Sequence, residues 1–116
     1  MCGIIGITSN KTVSSAIINS LRKLEYRGYD SAGIATLSNG VINEIKSEGR
    51  VNNLEKNLDV KNMSGTVGIG HVRWATHGIP NTVNAHPHSS EKVSIVHNGI
   101  IENSTILKKY LIGKGH

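Results

Sequence analysis

The sequence predicts an α+β sandwich built on a largely antiparallel sheet. Three observations carry this. Strand-length stretches rich in Ile, Val and Thr recur at 2–8, 31–37, 41–45, 66–74 and 93–96. Two segments repeat apolar residues at helical spacing: Val13, Ala16, Ile17, Leu21, Leu24, then Ile106, Leu107, Tyr110, Leu111. Several links between strands are hairpin-like turns or polar loops, as at 38–40 and 75–91, whereas a doubly wound parallel sheet joins its strands by crossovers that are usually helical.

In chain order, Cys2-Gly-Ile-Ile-Gly-Ile-Thr8 is short, apolar and β-branched, as a buried strand is. The helix that follows has Ser14 and Ser15 near its start and ends before Gly28. Ser31–Leu37 reads as a strand. Ser38-Asn39-Gly40 is a turn with Asn-Gly at its centre, and Val41–Ile45 is its hairpin partner. Arg50–Leu58 reads as a short helix, and Thr66–Trp74 as a strand containing glycine. A long polar loop runs from Ala75 to about Glu91. Val93–Val96 is a buried strand that stops at His97-Asn98-Gly99. The last helix has Asn103 or Ser104 as its cap. The predicted order is β-α-β-β-α-β-β-α.

Composition narrows the function. The chain has 116 residues, of which 37% are hydrophobic and 3% aromatic, with no Phe. Its core must therefore come from Ile, Val, Leu and Ala, and so few aromatic anchors are thin for a complete domain. The lone cysteine, Cys2, rules out an internal disulfide and fits a reducing, cytoplasmic setting. No apolar run is long enough to span a membrane. The net charge of +5 comes from scattered Lys and Arg, never more than two together and without interleaved aromatics, so no nucleic-acid partner is expected.

Three places offer chemistry. Cys2 follows the initiator Met1, and a residue this small permits Met1 to be removed. Cys2 would then carry a thiol and a free α-amine together. In water these groups titrate within about one pH unit of each other, so the amine can take the thiol proton, directly or through one water. The alternative is a buried cysteine at a strand start. Arg73-Trp74-Ala75-Thr76-His77-Gly78 lies where a strand enters the long loop; Arg73 can pair bidentately with a carboxylate, with Thr76 and His77 adding polar contacts. The alternative is a polar loop anchored by Trp74. At His97-Asn98-Gly99, the Asn98 amide and the Gly99 N–H can together hold an oxyanion, or form an ordinary turn. His86 and His88 bracket Pro87, but no thiol or carboxylate cluster accompanies them. No metal or cofactor is called for, and loop hydrogen bonding is the expectation for both.

Five segments carry a resemblance: Cys2-Gly-Ile-Ile-Gly6, Leu24-Glu-Tyr-Arg-Gly-Tyr-Asp-Ser-Ala-Gly33, His71-Val-Arg-Trp-Ala-Thr-His-Gly78, Asn84-Ala-His-Pro-His88 and His97-Asn-Gly-Ile-Ile-Glu-Asn103. In order and spacing, over essentially the whole chain, the sequence resembles the class II glutamine amidotransferases. The 25–31 and 73–78 segments resemble the branch that makes glucosamine 6-phosphate from fructose 6-phosphate, and differ from the purine-pathway amidotransferase and asparagine synthetase. The resemblance implies an N-terminal-nucleophile fold of four layers, α/β/β/α. It implies that Cys2 attacks glutamine to form a thioester, with its own α-amine as base, and that Asn98 and Gly99 form the oxyanion hole. Arg73, Thr76 and His77 would hold the glutamine α-carboxylate, Arg27 would support the nucleophile, and Trp74 would belong to a loop closing over the site.

The family's glutaminase domain is longer and is followed by a sugar-isomerising domain. Residues 1–116 are thus expected to be the N-terminal portion of the glutaminase domain, with an incomplete sandwich and little activity alone. A second chain supplying the rest is one expectation; a non-catalytic remnant is the alternative.

Overall fold

The structure is a computed structural model and describes residues 1–116, except the side chain of residue 58. Its frame is a four-stranded sheet made of β1 (Gly3–Thr8), β2 (Ser31–Ser38), β3 (Val41–Glu48) and β4 (Val67–Arg73). The strand order is β1-β4-β2-β3, and every neighbouring pair is antiparallel. β2 and β3 form the expected hairpin. Asn39 and Gly40 both adopt positive φ, 50° and 77°, and this gives the turn the twist the flanking strands require. β3 extends to Glu48, three residues past the expected Ile45, because β2 pairs with it along its full length.

One face of this sheet is covered by helices. α1 (Ser14–Leu24) lays Ile17, Ile18 and Leu21 against it, with Val13 just ahead of the first turn. The short α2 (Val51–Lys56) and α3 (Leu58–Lys61) add Val51, Leu54 and Val60. The expected helix at 50–58 is broken at Asn57, whose backbone is extended and whose Oδ1 accepts the Asp59 N–H at 3.1 Å to start α3. From the sheet come Ala32, Ile34 and Val72, with Ile5, Ile7 and Ile45 packed at the margin. β4 meets α1 through Gly68 and Gly70. A Cβ at Gly70 would lie 2.6 Å from Ile17 Cγ2 and 3.1 Å from Leu21 Cδ1, so two glycines let the helix sit against the strand backbone. Leu21 is fully buried at this seam. Leu21→Ala is expected to cost about 2–5 kcal/mol, read from the urea midpoint at unchanged m-value.

The opposite face carries His71 and Arg73 of β4 and Ser31, Gly33 and Ala35 of β2, which stand opposite one another in register. It is covered by the loop that follows β4, where Ala85 and Pro87 are buried and the His86–Pro87 peptide is cis. A Cβ at Gly33 would fall on the His86 carbonyl oxygen, so the loop rests directly on the strand. β2 is therefore buried on both faces, with its first six residues inaccessible.

The segment beyond the loop differs from expectation. The expected buried strand at 93–96 is a two-residue ribbon, β5 (His88–Ser89) with β6 (Ser94–Ile95), and Ile95 is exposed. α4 (Ser104–Gly113) forms where helical spacing placed it, but none of its residues is buried. Asn103 stands at its N-cap without a side-chain hydrogen bond. No helix among the described residues is long and apolar enough to cross a membrane.

Candidate functional site

The site gathers at one end of β4, on the face away from α1. β1 and β4 run antiparallel with Gly3 opposite Val72, so Cys2 lies beside the end of β4. The Trp74 N–H donates to Cys2 Sγ at 3.2 Å, and Sγ lies 3.6 Å from the Trp74 carbonyl oxygen. Two side chains from distant parts of the chain converge on the Cys2 main-chain carbonyl: Arg27 Nε and Asn98 Nδ2 each donate to it at 3.1 Å. Cys2 is half-buried, and Met1 ahead of it is 79% exposed, open to an aminopeptidase.

The Glu25–Asp30 segment positions these groups. Gly28 runs flush against the chain as it leaves β4: a Cβ there would sit 2.6 Å from the Arg73 carbonyl carbon and 2.7 Å from Trp74 N. The Asp30 N–H donates to the Arg73 carbonyl at 3.0 Å, and Asp30 Oδ2 accepts the Ala75 N–H at 2.6 Å. Glu25 Oε1 accepts the first N–H of α2, that of Val51, at 2.7 Å, and Glu25 also pairs with Arg50 at 3.5 Å. The Arg50 guanidinium lies 4.6 Å over the Tyr29 ring, and Tyr29 meets the Trp74 indole edge to face at 5.5 Å. Residues 25–30 thus hold the strand end that faces the thiol. Asp30, Gly28 and Glu25 had no role assigned from sequence, although they lie inside the 24–33 segment that carried the resemblance. Their partners are between 25 and 46 residues away, and no local pattern marks such pairs.

Arg73 is buried. Its Nη1 donates to the Ile79 carbonyl at 3.2 Å, and its Nη2 faces the carbonyls of His77 and Gly78. The guanidinium therefore shapes the 77–79 turn, where Gly78 has φ 76°. Thr76 and His77 are exposed, 3.4 Å apart between Oγ1 and Nδ1. The structure thus brings Cys2, Arg27, Trp74 and Asn98 into direct contact. It leaves the Thr76 and His77 side chains outside that network. Gly99 follows Asn98 with φ 146°, an angle side-chain-bearing residues rarely adopt.

Behind Asn98 lies an unforeseen element. His71 is fully buried, and its Nε2 lies 2.9 Å from Asn98 Oδ1. Its ring stacks on His86 at 4.4 Å and 22°, and His86 meets His88 at 4.5 Å. The expected loop hydrogen bonding of His86 and His88 gives way to ring packing, because the covering loop presses His86 against His71. Nδ1 of both His71 and His86 is buried without a partner. Among the described residues no three His, Cys, Asp or Glu side chains are arranged to hold a metal. Desolvation, reinforced by the charges of neighbouring histidines and Arg73, lowers His86 to about 4, and burial lowers His71 as well.

This has a consequence for stability. His86 ordinarily titrates near 6.5, so below that pH the unfolded chain takes up a proton that the folded chain refuses until about pH 4. Its contribution is full above pH 6.5 and is lost as pH falls from there toward 4. Urea midpoints are expected to drop between pH 7 and pH 5, and to drop less in His86→Gln. An equal drop in both would refute the assignment.

A layered α+β fold with a cysteine at residue 2 beside the central strand is what the class II, N-terminal-nucleophile resemblance implies, and in both fold and sequence the chain is similar to glutamine amidotransferases of that class. Glutamine phosphoribosylpyrophosphate amidotransferase from B. subtilis superposes with a TM-score of 0.82 at 26% identity, over all of this chain and 26% of that one. A second solved structure, the allosteric regulatory enzyme of purine biosynthesis, gives 0.85 at 27%, again over all of this chain and 26% of that one.

In sequence the chain resembles the N-terminal part of glutamine–fructose-6-phosphate aminotransferase (isomerizing). It is 53% identical to the Mesorhizobium japonicum enzyme over 116 residues and 53% identical to that of Clostridium acetobutylicum over 118. Each match covers the whole chain and 19% of the relative, so the chain spans about a fifth of the curated relatives' length. No protein-family model matches it.

Proposed function

We propose that this chain carries the glutamine-cleaving centre of a glutamine–fructose-6-phosphate aminotransferase, with Cys2 as nucleophile and the ammonia passing to fructose 6-phosphate. The observation that supports this most directly is the convergence of Arg27, Asn98 and the Trp74 N–H on Cys2. These contacts hold backbone and thiol in place at the very start of the chain, where a terminus would otherwise fray.

The chemistry follows from the residues. With Met1 removed, the Cys2 α-amine accepts the thiol proton. Sγ attacks the side-chain amide carbon of glutamine, and the C=O electrons move onto oxygen. The second Nδ2–H of Asn98 and the N–H of Gly99 stabilise that oxyanion. The α-ammonium returns the proton to the departing nitrogen as the C–N bond breaks. Ammonia leaves, and Cys2 remains as a γ-glutamyl thioester. Water then attacks the thioester and releases glutamate, restoring thiol and amine. Arg73 holds the turn around which the substrate's α-carboxylate would bind, near Thr76 and His77. The conversion of fructose 6-phosphate belongs to the part of the relatives that lies beyond the matched fifth, on this polypeptide or on a second one.

Intact-mass measurement paired with a glutaminase assay tests this reading. Loss of Met1, together with a glutamine-dependent thioester at residue 2, supports it. A purified chain that has lost Met1 and gains no adduct from glutamine, or from a diazoketone analogue of it, overturns it.

A further inference from the structure

We propose that His71 is a positioning residue for Asn98: its Nε2–H locks the asparagine amide in the single orientation that keeps an N–H free for the oxyanion. The inference rests on the reading of Asn98 given under Proposed function.

The orientation follows from what each atom can do. The Cys2 carbonyl can only accept, so the Asn98 group 3.1 Å from it must be the Nδ2 amide. Oδ1 then faces His71, 2.9 Å from Nε2, and an amide oxygen can only accept. Nε2 must therefore carry the proton. Donation to the Asn98 oxygen raises the ring's affinity for its proton. Turning the amide over would set its oxygen against the Cys2 carbonyl and its NH₂ against the His71 N–H. Each of those meetings is repulsive, and together they leave one orientation. In it one Nδ2–H is used by Cys2, and the other is bonded to nothing among the described residues.

The rest of the pocket keeps the imidazole neutral, with one N–H. A second proton would sit on Nδ1, which is buried without an acceptor. It would also stack a cation on the His86 ring at 4.4 Å. The hydrogen bond to Asn98 favours a charged ring, but burial outweighs it, and the charged groups facing His71 add to the burial: Arg73 on its own strand and His86 and His88 from the covering loop oppose a charge, while β1 and β2 bring only Ile4 and Gly33 opposite it. Burial lowers the ring's proton affinity in the same direction. A neutral histidine is a fixed donor with an unchanging partner through the pH range where imidazoles usually switch.

Nitrogen-15 NMR of the full chain tests this without any substitution. The expected result is a His71 ring protonated at Nε2 and bare at Nδ1 at neutral pH, taking up a second proton only below the ordinary imidazole value of 6.5. A neutral ring protonated at Nδ1, or one that takes up its second proton at or above that value, overturns the proposal. Substitution then tests the consequence. His71→Leu should slow modification of Cys2 by a diazoketone analogue of glutamine by about 10²–10³-fold, as loss of one oxyanion donor does. Half-saturation by the analogue should stay unchanged, and Asn98→Ala added to it should slow the reaction little further. His71→Gln, which keeps a donor toward Oδ1, should recover most of the rate. A His71→Leu rate equal to that of the unsubstituted chain, or full additivity with Asn98→Ala, overturns the proposal. If unsubstituted Cys2 is not modified at all, the reading of the site as a glutaminase fails. The NMR result still decides the His71–Asn98 geometry.

Discussion

Cys2→Ala is expected to reduce glutamine cleavage by at least about 10⁴-fold, since removing a covalent nucleophile elsewhere has cost about 10⁶-fold in turnover. No other group in the site offers an alternative attack. Cys2 is the chain's only thiol, and Arg27, Asn98 and Trp74 are donors toward it. Stability should change by less than about 1 kcal/mol. Cys2 is half-buried, its main-chain carbonyl keeps both donors in the variant, and only a weak hydrogen bond to sulfur is lost. Glutamate release and urea unfolding measured on the same preparation separate the two effects. Chains that retain Met1 should be equally inert, because their Cys2 nitrogen is an amide with no basic lone pair. Activity should therefore scale with the fraction lacking Met1 in the intact mass. Undiminished turnover in Cys2→Ala would remove Cys2 from the mechanism.

Gly28→Ala carries the second large effect, though it adds a single methyl and touches no reacting atom. The new Cβ would meet main-chain atoms of Arg73 and Trp74 at 2.6 and 2.7 Å, and a backbone cannot rotate away as a side chain can. Gly28 itself is extended, with φ −176°, so the conflict is one of space. Overpacking of this kind costs about 1–3 kcal/mol. The strand end must also move, and with it the Trp74 N–H that meets Sγ and the turn held by Asp30. A displacement near 1 Å is expected to cost about 10²-fold in Cys2 reactivity. Analogue labelling against time, at a urea concentration where the variant stays folded, measures it. Labelling at the unsubstituted rate would show that the 28–30 segment does not set the site.

Much of the frame was legible because it is local. The 3.6-residue spacing of Val13, Ile17, Leu21 and Leu24 predicts α1, which stops at Leu24 and passes into a 3₁₀ turn before Gly28, and Asn39-Gly40 predicts the β2–β3 hairpin. The helix at 50–58 read as one piece because nothing in that window signals the extended Asn57 that divides it. The strand at 93–96 read as buried because alternation records polarity alone, whereas burial depends on which surface arrives to cover it. Ile95 meets none, and the apolar side of α4 likewise stays open.

By itself, then, the sequence determined the elements, the antiparallel character of the sheet and the residue types able to do chemistry at Cys2, Arg73 and Asn98. These follow from periodicity, turn chemistry and functional groups, which act over a few residues. Tertiary structure alone decided what surrounds each of them. It turned Arg73 onto its own loop, seated Gly28 against the end of β4, and set His71 behind Asn98. The last two join residues 27 to 46 apart along the chain, and Asn98 meets Cys2 across 96. They exist only because strand pairing and the covering loop bring the segments together, and no short-range pattern encodes that.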